Sequence, residues 1–218
     1  MSHQDARCAS NTETVVVAAG GTLPSVASLS GKNLVVVRQT VSGSLAWTLT
    51  GLPQMTLVGQ TTGTLSSTGA TATLHVTGGD LYIRNLSLTG GSPGLWADGG
   101  AIVRLDHDTV SNNTAGGILL DGAGFDIKNT TVNNNGANTA GAAAFGGMRV
   151  QNSLTTPKVL ALSTISGNQL LGVTCDASAS LSPSPTTVLV SGTTGVDIAS
   201  VCGFTSCGTA STTCGAQP

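Results

Sequence analysis

The sequence predicts an all-β fold, a single-stranded right-handed parallel β-helix of about seven to eight rungs with asparagine ladders at its corners. Three observations carry that expectation. Apolar residues recur in pairs two apart at intervals close to one coil, asparagines and glycines recur at fixed offsets from those pairs, and the surface is left to neutral side chains. Charged residues are 8% of the 218, against roughly 25% in an average soluble domain, while hydrophobics are 39% and glycine supplies 30 positions. A disordered chain lacks that aliphatic content or carries a larger net charge than this one's −2. Eight Lys plus Arg, spread thinly, are too few to neutralise a run of phosphates, which excludes a nucleic-acid partner.

Taken in chain order, residues 1–14 are polar and are expected to be an N-terminal cap or leader remnant, without the apolar core of a signal peptide. No apolar run approaches the about 18 residues of a transmembrane segment, so none is expected. The β-helix is expected over 15–200. Its first strands are marked by the pairs Val15–Val17, Leu34–Val36, Met55–Leu57, Leu81–Ile83, Val103–Leu105, Phe125–Ile127, Lys158–Leu160 and Val188–Val190. Residues two apart share one face of a strand. The second members are spaced by 19, 21, 26, 22, 22, 33 and 30 residues, one coil plus occasional loops.

From residue 81 more columns align. Leu88, Val110, Val132 and Ile165 follow the first strands by five residues, and Gly91, Asn113, Asn135 and Asn168 follow those by three. A glycine then precedes an aliphatic residue in Gly94–Leu95, Gly117–Ile118, Gly147–Met148 and Gly172–Val173, with Ala97, Leu120, Val150 and Cys175 two further on. Stacked strands lie about 4.8 Å apart, so inward aliphatics form continuous columns that no single coil could bury alone. Asn113, Asn135 and Asn168 are expected to pair their amides along the axis, and Asn85, His107 and Asn129 to form a second corner of the same kind. The glycines are expected to supply positive φ at a corner. Low charge follows as well, since like charges stacked one above another repel.

Residues 136–147 are the largest insertion in the regular region, and 177–187 read as a loop. The tail 201–218 is a Cys-containing cap, where Cys202, Cys207 and Cys214 are disulfide candidates in a segment with no core of its own. Their connectivity stays open. Cys175 is expected as a small buried apolar residue. The cysteine spacing does not suit a metal site.

The stretches Ile127-Lys-Asn-Thr-Thr-Val-Asn-Asn-Asn135 and Val103-Arg-Leu-Asp-His-Asp-Thr-Val-Ser-Asn-Asn113 resemble the repeat of right-handed parallel β-helix proteins with pectate-lyase-like coils. The resemblance is firm over 81–176 and looser over 15–80, and it implies a bias toward carbohydrate partners. It does not imply a reaction. The pectin hydrolases' Asn-Thr-Asp and Gly-His-Gly signatures are absent, and only three arginines follow residue 80.

Candidate chemistry centres on Arg104-Leu-Asp106-His107-Asp108. Asp106 and Asp108, two apart, are expected on one side of a strand, where paired carboxylates bind calcium or act as acid and base on a glycosidic bond. They are the candidate catalytic pair. Arg84 and Lys128 flank Asp106 by one rung, and with Arg104 and the outward-facing Trp96 they are the candidate ligand-binding residues; Trp47 is unplaced. Asp98, Asp121 and Asp176 form a further column, expected to cap turns. No metal or cofactor is expected, with calcium the exception should the carboxylates act. The expected function is an extracellular or surface β-helix module, secreted or on the cell surface, that binds polysaccharide or another cell-surface glycan, or is structural. The alternatives are a polysaccharide lyase, hydrolase or epimerase, and an ice-binding solenoid. Ice binding is disfavoured because Thr48-Leu-Thr50 and Thr71-Ala-Thr73 form no regular array. Exposed end rungs predict end-to-end or side-by-side self-association.

Overall fold

A computed structural model describes residues 14–17, 21–29, 31–60, 63–136, 145–152, 157–175 and 189–191. The chain is a parallel β-solenoid built from three sheets. The first holds seven strands, from Thr14–Val17 through Leu34–Val37, Met55–Gly59, Asp80–Arg84, Ile102–Asp106 and Gly124–Lys128 to Lys158–Ala161. The second also holds seven, from Thr40–Ser42 to Leu189–Ser191, and the third holds six, from Leu45–Thr48 to Val173–Cys175. Each turn visits the three sheets in that order, so every strand pairs in parallel with its counterpart one turn away. Six turns are complete, fewer than the seven to eight expected, because the strands Thr14–Val17 and Leu189–Ser191 lack companions among the described residues. No described helix is long and apolar enough to cross a membrane.

The core is the stack of inward aliphatics. Leu81, Val103 and Phe125 lie in one column and Ile83, Leu105 and Ile127 in the next, all buried. Leu88, Val110, Val132 and Ile165 line the second sheet, while Leu95, Ile118 and Met148 line the third. Burying each such side chain contributes about 1.5–3 kcal/mol, and the columns make that gain additive from turn to turn. Towards the N-terminal end Trp47 is fully buried, donates its Nε1–H to Pro24 O at 3.0 Å, and shares an apolar cluster with Val26 and Leu29 of the 3-10 turn Val26–Leu29.

Four expectations are corrected. Val35 and Val37 face the core in Leu34–Val37, and Leu34 and Val36 face outward. The run Leu-Val-Val-Val has no polar residue to set its phase, so its register is imposed by stacking Val35 on Leu57. Val190 lies in register with Ile165 in the second sheet, not in the first-sheet column after Leu160. Gly94, Gly117 and Gly147 do not have positive φ. Their role is close packing: a Cβ on Gly94 would lie 2.5 Å from Asn113 Nδ2, and one on Gly117 would lie 2.9 Å from Asn135 Nδ2. Finally, Asn85, His107 and Asn129 are exposed, with φ of 53°, 61° and 51°. They make no hydrogen bonds to one another, and they supply the left-handed turn out of each first-sheet strand, a conformation in which Asn and His are enriched.

Asn113, Asn135 and Asn168 are buried at the exit of the second sheet. Asn113 donates from Nδ2 to Asn135 Oδ1 at 2.9 Å, and Asn135 from Nδ2 to Asn168 Oδ1 at 3.0 Å. Each Oδ1 also accepts the backbone N–H one turn before it, from Gly91, Asn113 and Asn135. The amides thus satisfy backbone groups where the sheets are interrupted. Of the segments expected at the ends, nearly all of 1–14 and all of 201–218 lie outside the described residues, as do Cys202, Cys207, Cys214, Asp176 and the loop 177–187.

Candidate functional site

The outward face of the first sheet gathers six charged side chains, those of Asp80, Arg84, Arg104, Asp106, Asp126 and Lys128. Asp106 is in register with Arg84 on one side and Lys128 on the other. Arg84 lies 3.6 Å from its carboxylate, Tyr82 donates to it at 3.2 Å, Asn129 donates at 2.9 Å, and His107 Nδ1 lies 2.7 Å away. Burial pushes the Asp106 pKa up, but the Asn129 and His107 hydrogen bonds and the nearby cations outweigh it, and the group ends below the ordinary aspartate value. Tyr82, mainly through burial and then the Asp106 charge, is pushed up to about 12. Arg104 instead grips Asp80 through Nε and Nη2, at 3.2 and 2.9 Å, and Lys128 reaches Asp126 at 2.9 Å rather than Asp106. The candidate cations Arg84, Arg104 and Lys128 are therefore each committed to a carboxylate on the same face. Ion pairs of this kind stabilise little but neutralise the surface.

Asp108 does not join Asp106. The left-handed turn at His107 rotates it inward, where it is 2% exposed and accepts N–H bonds from Leu86 at 2.8 Å and Asp106 at 2.9 Å. Thr130 and Ser163 are buried at the equivalent corner of the next two turns. Desolvation dominates over those two hydrogen bonds and pushes the Asp108 pKa up to about 8. The expectation of two carboxylates facing one groove fails because a strand's alternation does not survive a residue at positive φ. Among the described residues no three His, Cys, Asp or Glu side chains converge to hold a metal ion.

The outward face of the third sheet has a different character. Ala46, His75, Trp96, Leu119 and Arg149 form one column across consecutive strands. The His75 and Trp96 rings are stacked, with centroids 4.1 Å apart and planes inclined by 11°. Asp98 Oδ2 lies 2.8 Å from His75 Nε2 and Thr77 Oγ1 lies 3.4 Å from it, which fixes the imidazole's orientation. Trp96 Nε1 and Asp98 Oδ1 are covered yet unpaired. Beside this stack opens a cleft of about 320 Å³, lined by Ala46, Ala70, Ala72 and Leu45 together with the hydroxyl residues Ser44, Thr71 and Ser92 and by both rings. Ser44 Oγ is 2.7 Å from Thr71 Oγ1 and 2.9 Å from Ser67 Oγ. A second, polar notch of about 410 Å³ lies over Gly59, Asn85, Ser87, His107 and Thr109 and contains no aromatic side chain other than that imidazole.

Trp96 thus sits where the sequence placed it, on an outward face, but 4.1 Å from a ring that covers one of its own faces. His75, Asp98 as its partner, and Ala46 were not singled out as binding residues. The available signal was the frame Leu74-His-Val76, which repeats Leu95-Trp-Ala97 one coil earlier. No protein-family model matches the chain, and neither a curated protein nor a solved structure matches it. What is shown is the parallel β-solenoid itself, with no family membership and no residue roles attached to it.

Proposed function

We propose that this solenoid is a secreted or surface-displayed recognition module that binds polysaccharide and does not cleave it. The observation that carries this reading is the third-sheet cleft, where a stacked His75–Trp96 pair, alanine walls and serine and threonine hydroxyls meet at one open site. Carbohydrate offers that combination in return: apolar C–H faces for rings and alanines, and hydroxyls for hydroxyls. The sparsely charged, hydroxyl-rich exterior supports an extracellular setting, as do the cysteines of the C-terminal segment.

A lyase or hydrolase reading finds less support. Asp108 is inside the coil, and Asp106 is saturated by Arg84, Tyr82, His107 and Asn129, so neither presents a free carboxylate to a polymer. The test is to incubate the protein with insoluble and soluble polysaccharides, with and without calcium, following co-sedimentation and bond cleavage together. Co-sedimentation without new reducing ends or unsaturated products is expected. Turnover would overturn the non-catalytic reading, and absence of any bound glycan would overturn the recognition reading.

A further inference from the structure

His75 occupies the middle of a column whose two neighbours differ greatly in size. On one side, Trp96 covers the imidazole at stacking distance; on the other, the residue in register is Ala46. Adjacent strands lie about 4.8 Å apart, so a large side chain at position 46 would cover the second face of the ring as Trp96 covers the first. A methyl group cannot. The space it leaves is the cleft, bounded by Ala70 and Ala72 at one wall and by Ser44, Thr71 and Ser92 at the rim. His75 keeps 27% of its side chain exposed there. Among the described residues Leu45–Thr48 is the edge strand of the third sheet, and the cleft opens beside it.

Resting on the recognition reading above, we infer that this slot holds a single neutral hexopyranose ring, stacked on the free face of His75 as a third member of the column. The volume, about 320 Å³, is at the low end of ligand pockets, which run from roughly 300 to 1,000 Å³, and suits one sugar unit with room for its glycosidic link to leave. Hydroxyls ring the slot, which favours a ligand with polar groups all around its edge and apolar hydrogens on its face. Neutrality follows from the lining. The cleft residues carry no Lys or Arg to meet a uronate, and the adjacent carboxylate, Asp98, is bonded to His75. Asp98 and the Trp96 stack hold the imidazole flat, so the ring surface is preformed and little ordering cost accompanies binding.

The test fills the slot. Ala46 is exposed, so Ala46→Leu adds a side chain over His75 without touching the core, and Ala46→Ser keeps the slot open. Binding of methyl β-glucoside, methyl β-galactoside, galacturonate and cyclohexanol is followed by tryptophan emission; of the two tryptophans, Trp47 is sealed in the core, so a change reports Trp96. A saturable response to at least one neutral glycoside is expected for the wild type and Ala46→Ser, with affinity falling at least roughly tenfold in Ala46→Leu at unchanged melting temperature. Glycoside binding unaffected by Ala46→Leu overturns the slot, as does a response to cyclohexanol or galacturonate alone, or none at all. Co-sedimentation separates the two claims. If Ala46→Leu still sediments with polysaccharide as the wild type does, the slot assignment fails and the recognition reading stands; if the wild type sediments with none, the recognition reading itself fails.

Discussion

Replacing Asp108 by asparagine removes a carboxyl that burial holds protonated far above the ordinary aspartate range, at about 8 against 3.8. The sign follows from proton counting. Between those two values the unfolded chain has released its proton and the folded chain has kept it, so stability falls as pH rises. One bound proton gives a slope of about 1.4 kcal/mol per pH unit, hence a loss of about 3 kcal/mol between pH 5 and 7. For a chain of this length that is roughly 6–12 °C in melting temperature. The asparagine variant carries no such slope. Its amide nitrogen cannot accept, so either the Leu86 or the Asp106 N–H loses its partner, at a pH-independent cost of about 1–3 kcal/mol. Urea unfolding of both proteins at several pH values, read by the emission of buried Trp47 and by circular dichroism, gives the difference directly. Taking the difference cancels the other titrating groups, including Asp106, whose lowered pKa acts below pH 4. A wild-type-minus-variant difference that stays flat from pH 5 to 7 would refute a protonated carboxyl at this corner.

Asn135 makes four side-chain hydrogen bonds, accepting from the backbone N–H and Nδ2 of Asn113 and donating to Val110 O and Asn168 Oδ1. Asn135→Ala should therefore cost about 3–5 kcal/mol, measured by urea denaturation, because the buried Asn113 N–H loses its acceptor and Asn113 Nδ2, Val110 O and Asn168 Oδ1 each lose one bond; a loss within the scatter of surface substitutions would contradict the assignment. The chain has one tyrosine, and the phenolate absorbance of Tyr82 should rise near pH 12 in the native state. Ionisation near 10 with the fold intact would show that the ring is not held beneath the first-sheet charge network.

The central turns were legible because their sequence alternates cleanly. In Val103-Arg-Leu105 and Phe125-Asp-Ile127 a charged residue separates two apolar ones, so phase, face and period are all marked, and the structure stacks them at intervals of 22 residues. Leu34–Val37 carries no such mark, and its inward residues were misassigned by one position. The carboxylate pair failed for a different reason. Alternation was carried across His107, although the asparagines at the same offset, Asn85 and Asn129, are residues that favour positive φ and so signalled a corner. The glycine columns were recognised, but their cause was missed. What forbids a side chain at Gly94 is the Asn113 amide, and at Gly117 the Gly147 carbonyl together with Val132 and the Asn135 amide, contacts between columns about a coil apart in sequence.

The position of the cleft follows from the same stacking rule that builds the core. In a parallel solenoid each outward side chain lies against its counterparts one turn before and after, so an aromatic ring presents its edge to solvent while its faces are covered. Trp96 illustrates this, with His75 on one side and the register position of Leu119 on the other. A lone outward tryptophan is therefore a weak sign of a sugar platform in this fold. An accessible ring face needs an interruption, a small residue one turn away from an aromatic one, and the third sheet provides it at Ala46 against His75, on the edge strand of that sheet among the described residues. The interruption also explains why the charged first-sheet face is a poor ligand site despite holding Arg84, Arg104 and Lys128. There each side chain has a partner within the strand or one turn away, and the column is complete.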